Sequence, residues 1–262
     1  MIEKQQKSAA LRANAVVKSF GRGRGRHQVL FDVNVEVWPG ECLGIIGASG
    51  SGKSTLTRIM FGLEQPDSGD VLFNGASILG VSGRAQRRRL WAASGIVYQN
   101  PFASLDPRWT AGRSIAEPLR LAGERDERSI GEQVSRALEL VGLEPSEFMG
   151  RYPMDMSGGQ AQRVAIARAV VKDPQVMLAD EAMSAIDVAA RMQILDAFAA
   201  IRERDPNMAM VLVSHDLGVV QNIADRIVVM HEGRVVESGP TAQILEQPQQ
   251  EYTRLLIAAA SL

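Results

Sequence analysis

Residues Cys42–Met60 read CLGIIGASGSGKSTLTRIM, and this stretch decides the fold. Cys42–Ile46 is a short apolar run leading into glycines, the pattern of a buried strand. Gly47–Ser54, GASGSGKS, satisfies G-x-x-x-x-G-K-[ST]. That motif gains its meaning from a strand before it and a helix after it. Leu56, Ile59 and Met60 recur at helical spacing and supply the helix. Glycines let the backbone fold tightly, so that its N–H groups point inward at phosphate oxygens. The following helix adds its dipole and free donors. Lys53 can reach β- and γ-phosphates, and the Ser54 hydroxyl can ligate Mg²⁺. The plain alternative is a flexible Gly/Ser turn, and the flanking elements argue against it. The expected cradle is Gly47, Ser49, Gly50, Ser51, Gly52, Lys53, Ser54 and Thr55.

Strands and helices alternate around this unit. Phe31–Val37, FDVNVEV, alternates as a half-buried strand does, and Asp70–Phe73 and Gly95–Gln99 read as further strands. From about Pro101 to Pro153 the spacing becomes helical, through Ile115, Leu119, Leu121, Val134, Leu138 and Val141. Strand Val176–Ala179, helix Val188–Ile201 and strand Met208–Val213 follow. Ile227–Met230 and Arg234–Glu237 form a hairpin turning at Glu232-Gly233. The tail from Thr241 is helical. The pattern predicts an α/β core with a mainly parallel sheet and a helical insertion.

Two further segments carry chemistry. VMLADE, Val176–Glu181, delivers Asp180 and Glu181 at the carboxyl end of a strand, where open α/β sheets place ligands. Asp180 suits Mg²⁺, and Glu181 suits a general base acting on water. Taken alone, an Asp-Glu pair capping a helix reads equally well. MSGGQ, Met156–Gln160, places Ser157 as a helix cap with Gln160 where a capping box requires it. An ordinary capped helix is the plain reading of that segment by itself.

Composition sets outer bounds. The chain has 262 residues, 45% hydrophobic and 23% charged, which is ordinary for a globular protein. Lys+Arg 29 against Asp+Glu 30 gives a net charge of −1, so no global field drives binding to nucleic acid. One cysteine, Cys42, excludes a disulfide framework within the chain and fits a reducing compartment. The N-terminal MIEKQQKSAALRANAVVKSF has no apolar core of signal-peptide length. No stretch approaches the roughly 18 apolar residues of a membrane-spanning helix. The Gly/Arg run at Arg22, Arg24, Arg26 and His27 reads as a solvated hairpin loop, and Arg84 with Arg87 to Arg89 as a solvated helix face.

Taken in order, these motifs resemble the ATP-binding subunits of ABC transporters, over nearly the whole chain from about Leu11. GASGSGKST is similar to the Walker A loop, MSGGQ to the LSGGQ signature and VMLADE to the Walker B strand. Gln99 in VYQNP occupies the Q-loop position, Ser184–Asp187 (SAID) the D-loop, His215 in VSHD the switch histidine, and Phe20 the adenine-stacking aromatic. The resemblance implies a P-loop NTPase (RecA-like) core with an antiparallel β subdomain and an inserted α-helical subdomain. The core is expected over 11–100 and 164–240, the helical signature subdomain over 101–163 and a short helical tail over 241–262. It also implies ATP and Mg²⁺, with Glu181, His215 and Gln99 catalytic. Ser54, Gln99 and Asp180 would serve the metal, and Phe20, the cradle, Ser157, Gly158, Gly159, Gln160 and Asp187 the nucleotide. Two such subunits sandwich two ATP head to tail, so Ser157 would serve the partner's nucleotide. Met156, Ile186, Ala182-Met183 and Phe20 depart from the commoner residues without removing a catalytic group.

YQNPFASLDPRWT, Tyr98–Thr110, and the tail ESGPTAQILEQPQQEYTRLLIAA resemble the oligopeptide/dipeptide/nickel importer branch. The resemblance implies a second ATPase subunit, identical or paralogous, and two integral-membrane permeases. It also implies an extracytoplasmic solute-binding protein and a place on the cytoplasmic face of the inner membrane. Peptides are the first substrate expectation and nickel or its chelates the second. A non-transport accessory ATPase, like those of carbon–phosphorus lyase complexes, is the rival reading. The tail lacks a cysteine-containing extension, so no iron–sulfur site is expected.

Overall fold

The structure is a computed structural model that describes residues 8–184 and 186–260. Part of the N-terminal stretch (1–7), Ala185 of the SAID segment, the tail's last two residues and the side chains of Arg24 and Ala260 lie outside the description.

The chain opens with β1 (Leu11–Phe20), β2 (His27–Val37) and β3 (Cys42–Ile46), then α1 (Lys53–Met60), β4 (Ser68–Phe73) and β5 (Ala76–Ser77). α2 (Arg84–Ala92) and β6 (Ser94–Val97) follow. Five helices come next: α3 (Pro101–Ser104), α4 (Ala111–Leu121), α5 (Glu127–Leu140), α6 (Pro145–Phe148) and α7 (Gly158–Val170). The chain then alternates through β7 (Val176–Asp180), α8 (Val188–Arg204), β8 (Ala209–Val213), α9 (Leu217–Ile223) and β9 (Arg226–His231). β10 (Arg234–Pro240), α10 (Thr241–Glu246) and α11 (Glu251–Ala260) close it.

One sheet has the order β10-β9-β3-β8-β7-β6, and the other β2-β1-β4-β5. The second is antiparallel throughout. In the first, β9, β3, β8, β7 and β6 run parallel, and β10 joins antiparallel at the edge. β3 lies between β8 and β9, so its apolar run is buried on both faces. Leu43 and Ile45 join the core shared with the antiparallel sheet and α1, while Cys42 and Ile46 join the core shared with α4, α7, α8 and α9. Gly44 is required there: a Cβ would come within 2.8 Å of Val220 on α9.

The expected strand Gly95–Gln99 is shorter in the structure. β6 ends at Val97, paired with Ala179 of β7. The Gln162 side chain of α7 takes the Tyr98 carbonyl at 3.1 Å in place of a ladder partner. The Asn100 side chain then caps α3. Gln99 therefore sits in a bend between sheet and insertion, not on the strand. α7 runs unbroken through the expected boundary between 163 and 164.

Cys42 is fully buried, and burial pushes its thiol pKa up to about 12. At pH 8 only about one thiol in ten thousand is then the reactive thiolate. Native protein is expected to resist a thiol reagent such as DTNB that labels it once unfolded. Fast stoichiometric labelling of the native chain would contradict this burial.

Candidate functional site

The β3–α1 loop closes on itself. Gly47 has φ +150°, and a Cβ there would lie 2.2 Å from the Met230 carbonyl, so the loop seats on the end of β9. Gly52, at φ +99°, caps α1 in the left-handed region, where a Cβ would meet Leu30 at 2.8 Å. The buried Lys53 ammonium turns back and donates to the carbonyls of Gly47 (2.7 Å) and Ala48 (2.9 Å). An ammonium has three donors, so one remains for a ligand. Burial pulls the Lys53 pKa down, opposed by the charges of Glu181 and Asp180. The first N–H groups of α1 have no acceptor inside the helix and mark its positive end.

β7 brings the acidic pair alongside. The Ser54 hydroxyl donates to Asp180 Oδ1 at 3.5 Å. Burial raises the Asp180 pKa, and the charge of Glu181 adds to this. Glu181 adopts φ +50°, a left-handed conformation that is uncommon for a residue with a Cβ. Three bonds hold it there. Its N–H donates to the Val213 carbonyl at 2.9 Å, and its own carbonyl accepts from the N–H (3.0 Å) and hydroxyl (2.9 Å) of Ser184. Strain of this kind clusters at functional sites. His215, between β8 and α9, places Nδ1 3.7 Å from Glu181 Oε1.

A cavity of about 650 Å³ joins these groups, lined by Ser49, Ser54, Gln99, Asp180 and Glu181. A hydroxyl, an amide oxygen and carboxylate oxygens form a hard donor set. Mg²⁺ is characteristically held by one or two carboxylates together with substrate phosphates, so the residues fit that ion. Among the described residues, no group of three His, Cys, Asp or Glu side chains forms a cage that would hold a metal without phosphate.

Other expected residues stand apart from this cavity. Ser157 and Gly158 are exposed, and the predicted capping box is present: Gln160 N–H donates to Ser157 Oγ at 3.2 Å, and Ser157 N–H donates to Gln160 Oε1 at 3.0 Å. Gly159 is buried, because a Cβ would lie 2.5 Å from Ala190 of α8. Asp187 caps α8, accepting from Ala190 N–H at 2.9 Å. Phe20 is exposed at the end of β1, with the Lys18 ammonium 5.0 Å from its ring centre. Thr55 is half-buried in the first turn of α1.

Two residues that sequence reasoning passed over act on these loops. Arg191 of α8 pairs with Asp216, next to His215, and donates to the Ile186 carbonyl at 3.4 Å. Tyr252 of α11 accepts the Ala48 N–H at 3.0 Å. No spacing rule flags either one, because both bonds join segments distant in sequence or loops of irregular shape.

Comparison with known proteins bears on this site. The profile of the family described as ABC transporter matches residues 30–184. The glutathione import ATP-binding protein GsiA of Escherichia coli is 45% identical over 228 residues, covering 87% of this chain and 36% of that protein. Its counterpart in Salmonella typhimurium is 44% identical over 231 residues, with the same coverage. The chain thus spans about a third of the length of these curated relatives. Among solved structures, a dimeric bacterial ABC transporter cassette superposes with TM-score 0.78 at 29% identity, over 88% of this chain and 98% of that one. The cbiO1 protein of Clostridium perfringens, part of an ABC transporter complex, superposes with TM-score 0.79 at 26% identity, over 91% of each chain.

Proposed function

The chain belongs to the ABC transporter family, and from that premise we propose that it binds and hydrolyses ATP to drive uptake of a small solute, a short peptide. The observation that carries this reading is one cavity that Ser49 and Ser54 of the phosphate loop share with Asp180, Glu181 and Gln99 at the root of the helical insertion. Lys53 and the start of α1 bind the phosphates. Ser54, Asp180 and Gln99 would hold Mg²⁺, which would supply positive charge against the phosphates. Glu181 takes a proton from the attacking water, and His215 steadies that water and the terminal phosphate. Phe20 stacks on the adenine.

Ser157 and Gly158 face outward, which suits a head-to-tail pair in which each signature helix completes the partner's site and Asp187 meets the partner. The similar cassette whose solved structure is dimeric supports this arrangement. No helix among the described residues is long and apolar enough to cross a membrane. Two permease subunits would supply the path, fed by a solute-binding protein, with this chain at the cytoplasmic face. The peptide reading draws on the Tyr98–Thr110 and tail segments and on relatives named for import of glutathione, a tripeptide.

The segment after Gln99 supplies the test. Phe102 is exposed on α3, and Arg108 extends into solvent with Asp106 bonded to it. The Arg108 hydrogen bonds pull the Asp106 pKa down to about 2. Trp109 is half-buried under the Arg113 guanidinium, 4.3 Å from its ring centre, so Phe102 and Arg108 are the exposed part of this segment, which we read as the contact for a permease subunit. Arg108→Glu is expected to leave nucleotide affinity within about twofold and to lower peptide uptake by the reconstituted complex about tenfold or more. Uptake and nucleotide titration are measured on the same variant. Normal uptake would remove the segment from the permease contact, and uptake lost together with nucleotide binding would place it in the catalytic core. Recovery of the tagged chain with soluble lyase-type subunits instead of permeases would favour the accessory reading.

A further inference from the structure

The Gly47–Ala48 peptide group in the phosphate loop is held from both ends. Its carbonyl, that of Gly47, accepts from Lys53 Nζ at 2.7 Å, and its N–H, that of Ala48, donates to the Tyr252 hydroxyl at 3.0 Å. Lys53 comes from the loop's own helix, whereas Tyr252 comes from α11. The Tyr252 ring is fixed in turn by stacking on His231, at 3.8 Å between centroids and 24° between planes. His231 ends β9, the strand whose Met230 carbonyl already backs Gly47. The start of α11 is tied down separately. The Glu237 carboxylate of β10 accepts from the N–H groups of Gln249 (2.8 Å) and Gln250 (3.1 Å). Thr253 is fully buried, and Leu256 and Ile257 pack on the core. The hydroxyl is therefore presented by a ring stacked on His231 and carried on a helix that is tied to β10 and packed on the core.

We propose that Tyr252 is a positioning residue for nucleotide binding, its hydroxyl fixing the Gly47–Ala48 peptide so that Lys53 and Ser49 keep their aim at the phosphates. Lys53 also donates to the next carbonyl, that of Ala48, and Ala48 precedes Ser49, which lines the cavity. Rotation of the Gly47–Ala48 peptide swings the Gly47 carbonyl off the Lys53 ammonium and shifts the entry to Ser49. The proposal rests on the phosphate-cradle reading of the loop. Through it, the C-terminal helix gains a direct hold on nucleotide affinity. Linkage requires the converse too: bound nucleotide strengthens the seat of α11 by the same factor.

Tyr252→Phe keeps the ring and its stacking on His231 and removes only the hydroxyl. Titration of the purified chain with ADP and ATP is expected to show affinity lowered about 3- to 10-fold, the worth of one hydrogen bond. kcat is expected to change less than twofold. Hydrogen exchange at the Ala48 amide should quicken, with exchange in β3 unchanged and Tm lowered by no more than about 2–4 °C. Tyr252→Leu, which also loses the stacking, should bind at least as weakly. Wild-type affinity in Tyr252→Phe, with or without a loss in Tyr252→Leu, would overturn the proposal and leave the tail as packing alone. Unchanged exchange at Ala48 would overturn it equally. Lys53→Ala, measured alongside, separates the two levels. Lost binding there with no effect of Tyr252→Phe sinks only the tail's role, whereas retained binding sinks the cradle and the tail's role together.

Discussion

Glu181→Gln is expected to lower ATP turnover by about 10²–10⁴-fold while ATP stays bound. Glutamine keeps the shape and reach of the side chain but cannot accept a proton from water. The backbone bonds that hold φ +50°, from Glu181 N–H to Val213 and from Ser184 to the Glu181 carbonyl, do not involve the carboxylate and remain. Burial raises the Asp180 pKa and the Glu181 charge raises it further, so neutralising position 181 favours the ionised Asp180 and does not weaken its hold on a cation. The loss therefore falls on chemistry and not on binding. Single-turnover hydrolysis and nucleotide retention, measured on the same sample, read the two separately. Undiminished hydrolysis would mean that another group takes the proton.

Lys53→Ala is expected to weaken ATP and ADP binding roughly 10- to 100-fold, the worth of one charge-assisted hydrogen bond. The ammonium is buried, so solvent does not screen it as it would a surface charge. The fold should survive. The Ala48 carbonyl still accepts from Ser51 N–H at 3.2 Å, and Leu56, Ile59 and Met60 keep α1 in the core. Equilibrium titration with fluorescent ADP, beside a melting curve to show folded protein, provides the measurement. Wild-type affinity would remove the loop from the site.

Much of the fold is legible in local patterns. Cys42–Ile46 is the observed β3 to the residue, because a strand buried on both faces is written as a bare apolar run between polar neighbours. The capping box at Ser157 and Gln160 is equally local, and it forms. β1 was not legible. Its pairing shifts register between Ala13 and Val16, and again on either side of Lys18, and Ala15 adopts φ +49°. Each bulge breaks the two-residue alternation by which a half-buried strand is recognised. The end of β6 was misplaced for a related reason: a side chain, Gln162, takes over from the ladder at Tyr98, and no periodicity records that handover. In the site, the cradle and the Asp180–Glu181 pair stand in motifs of fixed spacing. The left-handed backbone at Glu181, the Arg191–Asp216 pair and the Tyr252 contact depend on tertiary placement and leave no trace in spacing.

The supports of the phosphate loop come late in the chain. β3 finds both sheet partners in β8 and β9, and Gly47 rests on Met230. Gly233 N–H donates to the Ser51 carbonyl at 3.1 Å. On a ribosome adding ~5–20 residues/s, Ala48 and Tyr252, 204 residues apart, emerge roughly 10–40 s apart. For that interval the glycine loop has its sequence but not its shape. Nucleotide in the cell therefore cannot template the early nascent chain. It can stabilise only a chain whose last strands have arrived, so a truncated product lacking β9 forfeits that protection and is left to proteases.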